Sequence, residues 1–505
     1  MSDGSGSAIR ERGAWIGLIL AGLSLIEVAL VLARGGGYFV VVPHLAIVLP
    51  LAVVGAVSAL AALGVGERPD AIAWLGVVAL AGFGWNVCTY SIKFGRAAWG
   101  VLIPFAHPHG IDFRDGLYDP ARAFTTVHSG WPPLTLYLGR PFTLLGFSTA
   151  YGVQIGILVV LAVAATVLSV KLALRTVGDD AAKAAVPSGA PGAPGHDATA
   201  PPAAPGAGID ARLLGLIMGL WLLTSYGFMY GIERGNIDLY ALFFSLLCVW
   251  SVVRGARSAW APAAFLAVAV GLKLYPAILV VVLLWRYRWR AVLPLALTTL
   301  VVFLVAGPAN LVHSFSTLQA LSTSKTAEWW GQDSATAMAH VLHGHTTWAP
   351  SWVWYPLIGV PLALWATTLI VLARRGWSER GAVLASAACV PLMAIVPPVS
   401  NDYKLVMCVF PLAVLAAAVA SLRREPPVAW IVTFGALSFA MIFLARSTIL
   451  VGPSLQGSKY TLLVLVQVLL LAVVTWPRAA CSDGAPAPSR SRPAADGVSA
   501  ASPAP

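Results

Sequence analysis

A chain of 505 residues that is 58% hydrophobic, only 10% charged and has a mean hydropathy of +0.81 is not an ordinary soluble domain; those carry charge on about a quarter of their residues. The 32 basic residues outnumber the 21 acidic ones for a net charge of +11, an excess that suits cytoplasmic anchoring of a polytopic membrane protein better than nucleic-acid binding. Five scattered cysteines (Cys88, Cys248, Cys389, Cys408 and Cys481) offer neither metal-ligand spacing nor a disulfide framework.

No short apolar run with a small-residue cleavage site opens the chain, so the first apolar stretch is expected to stay as a helix. A span takes about 20 mostly apolar residues, which predicts an all-α bundle of about 14 spans. They fall near 14–33, 42–64, 71–90, 149–172, 212–231, 236–253, 259–275, 276–287, 291–308, 351–373, 381–397, 404–422, 428–446 and 460–477. The organisation is thus N-terminal spans over 1–70, then 71–176 with an outer loop at 91–148, and a core over 211–480 with an outer loop at 309–350. The Ala/Pro/Gly-rich stretch 177–210 and the tail 481–505 cannot bury a core and are expected to be disordered. Residues 133–146, PLTLYLGRPFTLLG, are too short to span and suggest a helix lying along the outer surface.

Lys and Arg in short loops set the orientation. With the N-terminus inside, the inner loops collect Arg10, Arg12, Arg68, Lys171, Arg175, Arg254, Arg257, Arg286, Arg288, Arg290, Arg374, Arg375, Arg380, Arg423 and Arg424, and both ends are cytoplasmic. The polar residues then converge on the outer face. The segment 103–133 holds Asp112, Asp115 and Asp119 with Arg114, Arg122, His107, His109 and His128, and ends at Trp131-Pro132-Pro133. MYGIERGNIDLY, at 229–240, brings Glu233, Arg234 and Asn236 between two spans, and Lys273 and Tyr275 stand in AVAVGLKLYPAIL. VPPVSNDYKL adds Asn401, Asp402 and Lys404. Charges at the ends of apolar helices are costly unless paired or facing a wet cavity, which makes each a functional candidate.

Blander accounts stand beside these. Glu233 and Arg234 neutralise each other, or Arg234 snorkels to headgroups; Asp402 serves as an ordinary helix cap. Asp115 and Asp119 pair with Arg114 and Arg122. Lys273, flanked by apolar residues and followed by a helix-breaking Tyr-Pro, favours an anion-binding role. His340, His343 and His345 have no carboxylate or cysteine nearby and read as a polar loop, not a metal site.

The series DF…YDP…WPPL, ERGN-x-D and GLKLYP resembles glycosyltransferase family 87 over roughly residues 71–420. That resemblance implies a polytopic enzyme of GT-C architecture, of the actinobacterial type that uses polyprenyl-phosphate-linked mannose, or in some members arabinofuranose. It implies a catalytic Asp in the first large outer loop, where Asp112 stands, and donor-phosphate contacts at Arg234, Asn236 and Lys273, with Tyr275 beside them. The substrate-facing candidates are Asp115, Asp119, His128, Trp131, Glu233, Asn401, Asp402 and Lys404. Two extra spans before the loop, and Trp131 where Tyr is common, depart from the family pattern.

The residue types suit the chemistry. A departing phosphate needs positive charge and no general acid, and the acceptor hydroxyl needs one base. Asp112 with a cationic clamp is sufficient, no metal or other cofactor is required, and direct displacement inverts the anomeric centre. The partners are membrane lipid, the lipid-linked donor and a glycolipid or glycan acceptor. The rival, a transporter of lipid-linked sugar, requires polar groups reachable from both faces and nearer the midplane.

Overall fold

The computed structural model describes residues 110–126, 131–184, 211–305, 307–323, 334–336, 338–339, 351–397, 400, 402–420 and 456–475. The described residues are helical, with no strand among them. The expected spans at 14–33, 42–64, 71–90 and 428–446 lie outside them. Among the described residues two helices are long and apolar enough to cross a membrane, Phe147–Thr176 and Trp354–Arg374.

The chain enters through a helical run over Ile111–Phe113, Arg114–Tyr118 and Asp119–Ala123, followed by a short helix, Leu134–Gly139, and a 3-10 turn, Arg140–Leu144. The long helices follow: α1 (Phe147–Ala184), α2 (Ala211–Thr224), α3 (Tyr226–Arg234), α4 (Asp238–Val253) and α5 (Trp260–Leu272). A 3-10 turn at Tyr275–Leu279 leads into α6 (Val280–Tyr287), and then come α7 (Val292–Leu304), α8 (Pro308–Thr323) and α9 (Ser351–Arg374). The remainder is α10 (Glu379–Ile395), a 3-10 stretch at Asp402–Cys408, α11 (Val409–Ala420) and α12 (Gln456–Thr475).

Four of these elements differ from the hydropathy pattern, each for a local reason. The apolar run 212–231 is two helices, because Ser225 takes an extended conformation and its hydroxyl accepts from Phe228 N at 3.2 Å, capping α3. Helix α1 continues to Ala184, into the stretch expected to be linker from 177, where the good helix formers Ala181, Ala182, Lys183 and Ala184 follow Gly178-Asp179-Asp180; residues 185–210 lie outside the described set. The loop expected at 309–350 begins as α8, whose Asn310 and Ser314 are bonded to the acidic segment. The run 404–422 starts as a 3-10 helix and becomes α-helical only at Val409.

At the centre lies α10, buried at every position from Gly381 to Ile395. A helix apolar all round belongs in a core, and its run GAVLASAAC is small enough to let neighbouring backbones come close. Ser378 caps it, accepting from Gly381 N at 2.9 Å.

Contacts across the bundle sort the residues to two ends. At one end Arg175 pairs with Glu379 at 2.7 Å, Arg175 and Arg254 both lie 5.0 Å from the Trp250 ring, and Arg286 lies 4.9 Å from Trp377. Tyr287 Oη donates to Ala256 O at 2.9 Å, so α6 descends to that end; the chain turns at Arg288 (φ 53°) and α7 returns, bringing Val302 against Gly271. At the other end Tyr151 Oη donates to Ile232 O at 2.7 Å and Tyr137 Oη to Val305 O at 2.8 Å. Helix α1 covers the distance between the ends: from Tyr151 to Arg175 it rises about 36 Å at 1.5 Å per residue.

The α5–α7 crossing depends on a missing side chain. A Cβ on Gly271 would lie 2.1 Å from Val302 Cγ1 and 3.1 Å from Leu134 Cδ2. Gly271→Ala is expected to cost about 1–3 kcal/mol through overpacking. Detergent thermal denaturation should show a lowered midpoint that Val302→Ala, added second, largely restores.

Candidate active site

Two short connections build the site. The first is the turn after α3, where Gly235 adopts φ +70°, a left-handed conformation that ends the helix. That turn leaves Arg234 as the last residue of α3, with Asn236 and Asp238 on the entry to α4. Phe113 packs directly onto the bare glycine, so close that a Cβ would lie 2.5 Å from Phe113 Cβ. Phe113 is itself fully buried in an aromatic cluster with Tyr118, Phe142, Phe147 and Tyr151. One residue before it, Asp112 is thereby carried to the turn.

There the carboxylate is held on both oxygens. Arg234 Nε and Nη2 donate to Asp112 Oδ1 at 2.8 and 2.5 Å, and Asn236 Nδ2 donates to Oδ2 at 2.8 Å. The side chains are mostly buried, 13% exposed for Asp112 and 23% for Arg234, so solvent screens the pair only in part. Asn236 is fixed in turn, its Oδ1 accepting from Asp238 N at 3.0 Å. Behind the turn, buried Gln154 of α1 donates to Gly235 O at 3.4 Å and accepts from Tyr240 Oη at 2.8 Å. Arg234 also lies 5.5 Å from the Tyr230 ring, which stacks on Tyr403.

The second connection is the break between α5 and the 3-10 turn at Tyr275. Lys273 takes an extended conformation, and its Nζ rests 4.2 Å from the centre of the Trp131 ring. Trp131 in turn fits over Gly116, where a Cβ would lie 2.8 Å from the ring. Lys273 lies within electrostatic reach of Asp238, Asp112 and Arg234. Tyr275 Oη donates to Asp238 Oδ1, and the buried Lys404 holds its Nζ 5.0 Å from the Tyr275 ring. Among these described side chains three cations face two carboxylates, an arrangement suited to an anionic ligand.

Of the residues singled out in the sequence, the structure therefore brings together Asp112, Arg234, Asn236, Lys273, Tyr275, Trp131 and Lys404. It does not bring in Asp115 and Asp119, which are exposed; Asp115 pairs with Arg114 at 3.0 Å. Glu233 lies in the last turn of α3 and Asp402 begins its 3-10 helix, but their side chains, with all of His128 and Asn401, fall outside the described residues. Among the described residues no group of His, Cys, Asp and Glu could hold a metal ion.

Sequence reading passed over Asp238, although ERGN-x-D contains it, and also Gln154 and Tyr240. The available signal was their polarity within apolar runs. A family model for glycosyltransferase family 87 matches residues 131–398, more than half of the chain. The chain belongs to glycosyltransferase family 87. No curated protein matches it. The family 87 match takes in Trp131, Arg234, Asn236, Asp238, Lys273 and Tyr275, whereas Asp112 and Lys404 lie outside it, so the match is narrower than the 71–420 suggested by the motifs.

The juxtaposition of Asp112 with the family 87 turn depends on Gly235. Gly235→Ala is expected to cost about 2–4 kcal/mol, adding an overpacking cost to the left-handed penalty. Gly255 (φ +74°) has nothing within 4 Å of a built Cβ; Gly255→Ala should cost only about 1–2 kcal/mol. Thermal unfolding of the two variants in detergent should separate them.

Proposed function

We propose that this glycosyltransferase moves mannose from a polyprenyl-phosphate donor to a glycolipid or glycan acceptor, with inversion. The observation that carries this reading is the clasp of Asp112 by Arg234 and Asn236, with Lys273 in electrostatic reach. It joins a carboxylate able to act as a base to the cations that a phosphate leaving group requires.

The donor phosphate is received by Arg234 and Lys273. Arginine offers a planar fork of donors and can serve the phosphate while turning away from Asp112. As the phosphate draws the guanidinium, Asp112 Oδ1 is released to face the acceptor. The acceptor oxygen then attacks the anomeric carbon, the bond from that carbon to the phosphate oxygen breaks, and the phosphate leaves as an anion. Asp112 takes the hydroxyl proton. Both charges that develop have a counterpart in place, so the donor needs no general acid. A β-linked mannosyl donor gives an α-mannoside by this route.

The distribution of Lys and Arg supports placing this end of the bundle on the extracytoplasmic side of a plasma-membrane protein with both termini inside and about 14 spans. The basic end described above, with Arg175, Arg254 and Arg286, is then cytoplasmic.

Purified protein in lipid, given radiolabelled polyprenyl-phosphate-mannose and a membrane glycolipid extract, should transfer label. Asp112→Asn should lower transfer by about 10²–10⁴-fold while leaving donor binding intact. Unchanged transfer would remove Asp112 as the base, and transfer only from the arabinofuranosyl donor would replace mannose as the sugar. Arg234→Gln should weaken donor capture and lower transfer by about 10²–10³-fold. Equal donor affinity in Arg234→Gln and wild type would remove it from the phosphate site.

A further inference from the structure

The clasp and the cations leave one charged group of the site without an assignment. Asp238 is 2% exposed, at the start of α4. Its Oδ1 accepts from Tyr275 Oη, and its backbone N–H is given to Asn236. Its Oδ2 is buried and has no hydrogen-bond partner. Buried carboxylate oxygens without partners are rare, and one left in a native structure calls for an explanation. Lys273 is close enough to feel the charge but forms no ion pair with it, its amine lying instead against Trp131.

An acceptor-only oxygen in this position calls for a donor from outside the chain. The ligand already argued for brings both kinds of group: a phosphate for the cations, and hydroxyls for which a carboxylate is the strongest neutral-ligand acceptor. Asp238 is bonded to Tyr275 and lies, with Asp112 and Arg234, within electrostatic reach of Lys273, so it stands in the same cluster of charged groups as the proposed phosphate contacts.

We infer that Asp238 is a specificity-determining residue whose free oxygen accepts a hydrogen bond from a hydroxyl of the donor sugar, so that the enzyme selects hydroxylated sugars over deoxy analogues at that position. The inference rests on the donor reading above. A site built around a buried acceptor rejects a ligand that lacks the hydroxyl, because the carboxylate is then left unpaired, whereas a merely apolar pocket discriminates weakly. Asp238 touches the sugar and takes no proton; Asp112 remains the base.

The test uses the full-length protein in lipid with short-chain polyprenyl-phosphate-mannose and its four monodeoxy analogues at C2, C3, C4 and C6. For the wild type, one analogue should fall at least about a hundredfold in kcat/KM below the parent, with the others much closer. In Asp238→Asn, which keeps an acceptor for Tyr275, the parent should drop while that analogue does not, so that the ratio collapses to within about tenfold. Tyr275→Phe guards against a structural role, and should lower activity while preserving the wild-type preference. A wild type that treats all four analogues alike, or an Asp238→Asn variant that keeps the preference, overturns the assignment with the donor reading intact. Loss of the preference in Tyr275→Phe as well as Asp238→Asn makes Asp238 a prop for Tyr275 and overturns it too. A wild type that neither binds nor transfers the parent sugar removes the donor reading itself, and the assignment with it. If Asp238→Asn fails to fold, Asp238→Glu is used, and an unchanged order of preference across the analogues overturns the inference.

Discussion

The ion pair between Asp112 and Arg234 spans 122 residues of sequence and helps to fix the relation of two parts of the molecule that lie far apart in the chain. On one side is the helical segment that opens the described chain. On the other is the elbow between α3 and α4. Asn236 holds the second carboxylate oxygen, so the segment is fixed in rotation as well as in distance. Around this contact the apolar structure is arranged to hold the two parts still: Phe113 against the glycine turn, Tyr151 on Ile232 and Gln154 on Gly235. A mostly buried ion pair of this kind is weak as a source of net stability, since desolvation offsets much of the attraction. Its value lies in specifying one arrangement of reactive groups.

The two ends of the bundle divide the labour. Arginines at one end lie on tryptophan rings and pair with Glu379, and several belong to the short loops that were expected to be positively charged. At the other end the same two residue classes serve differently: Lys273 lies on Trp131 and Lys404 on Tyr275, but carboxylates stand within reach of them. Among the described residues the charged groups stand at the two ends, and the polar groups buried along the helices between them, such as Thr166, Ser245, Ser386 and Gln467, are uncharged.

How far the sequence revealed this can be judged residue by residue. The long apolar runs behind α1 and α9 were plain, because length and hydropathy report them without any partner. Asp112, Arg234 and Lys273 stood out because a charge beside a span carries a cost that must be offset, and Asn236 because it stands in the ERGN-x-D motif that carries the family resemblance. The break at Ser225 and the extension of α1 to Ala184 were hidden, since they turn on one hydroxyl and on local helix propensity, which a hydropathy window averages away. Helix α8 was hidden for another reason: its mixed polarity has no period that a span search would register. Asp238 was written within a motif yet passed over, because only the fold shows that its second oxygen has no partner.

The lengths of the helices that carry the site have a geometric consequence. Helix α5 has 13 residues, and α4 has 16. At 1.5 Å per residue they reach about 20 and 24 Å, against a hydrocarbon layer of about 30 Å. On the orientation proposed above, with their basic ends at one interface, both helices would stop short of the other and leave Lys273 and Asp238 below headgroup depth. A phosphate carried on a lipid normally floats at headgroup depth. On the proposed donor reading it would have to be drawn several ångströms downward, or the bilayer to thin beside the protein, and local membrane thickness is then expected to influence how readily the site is filled.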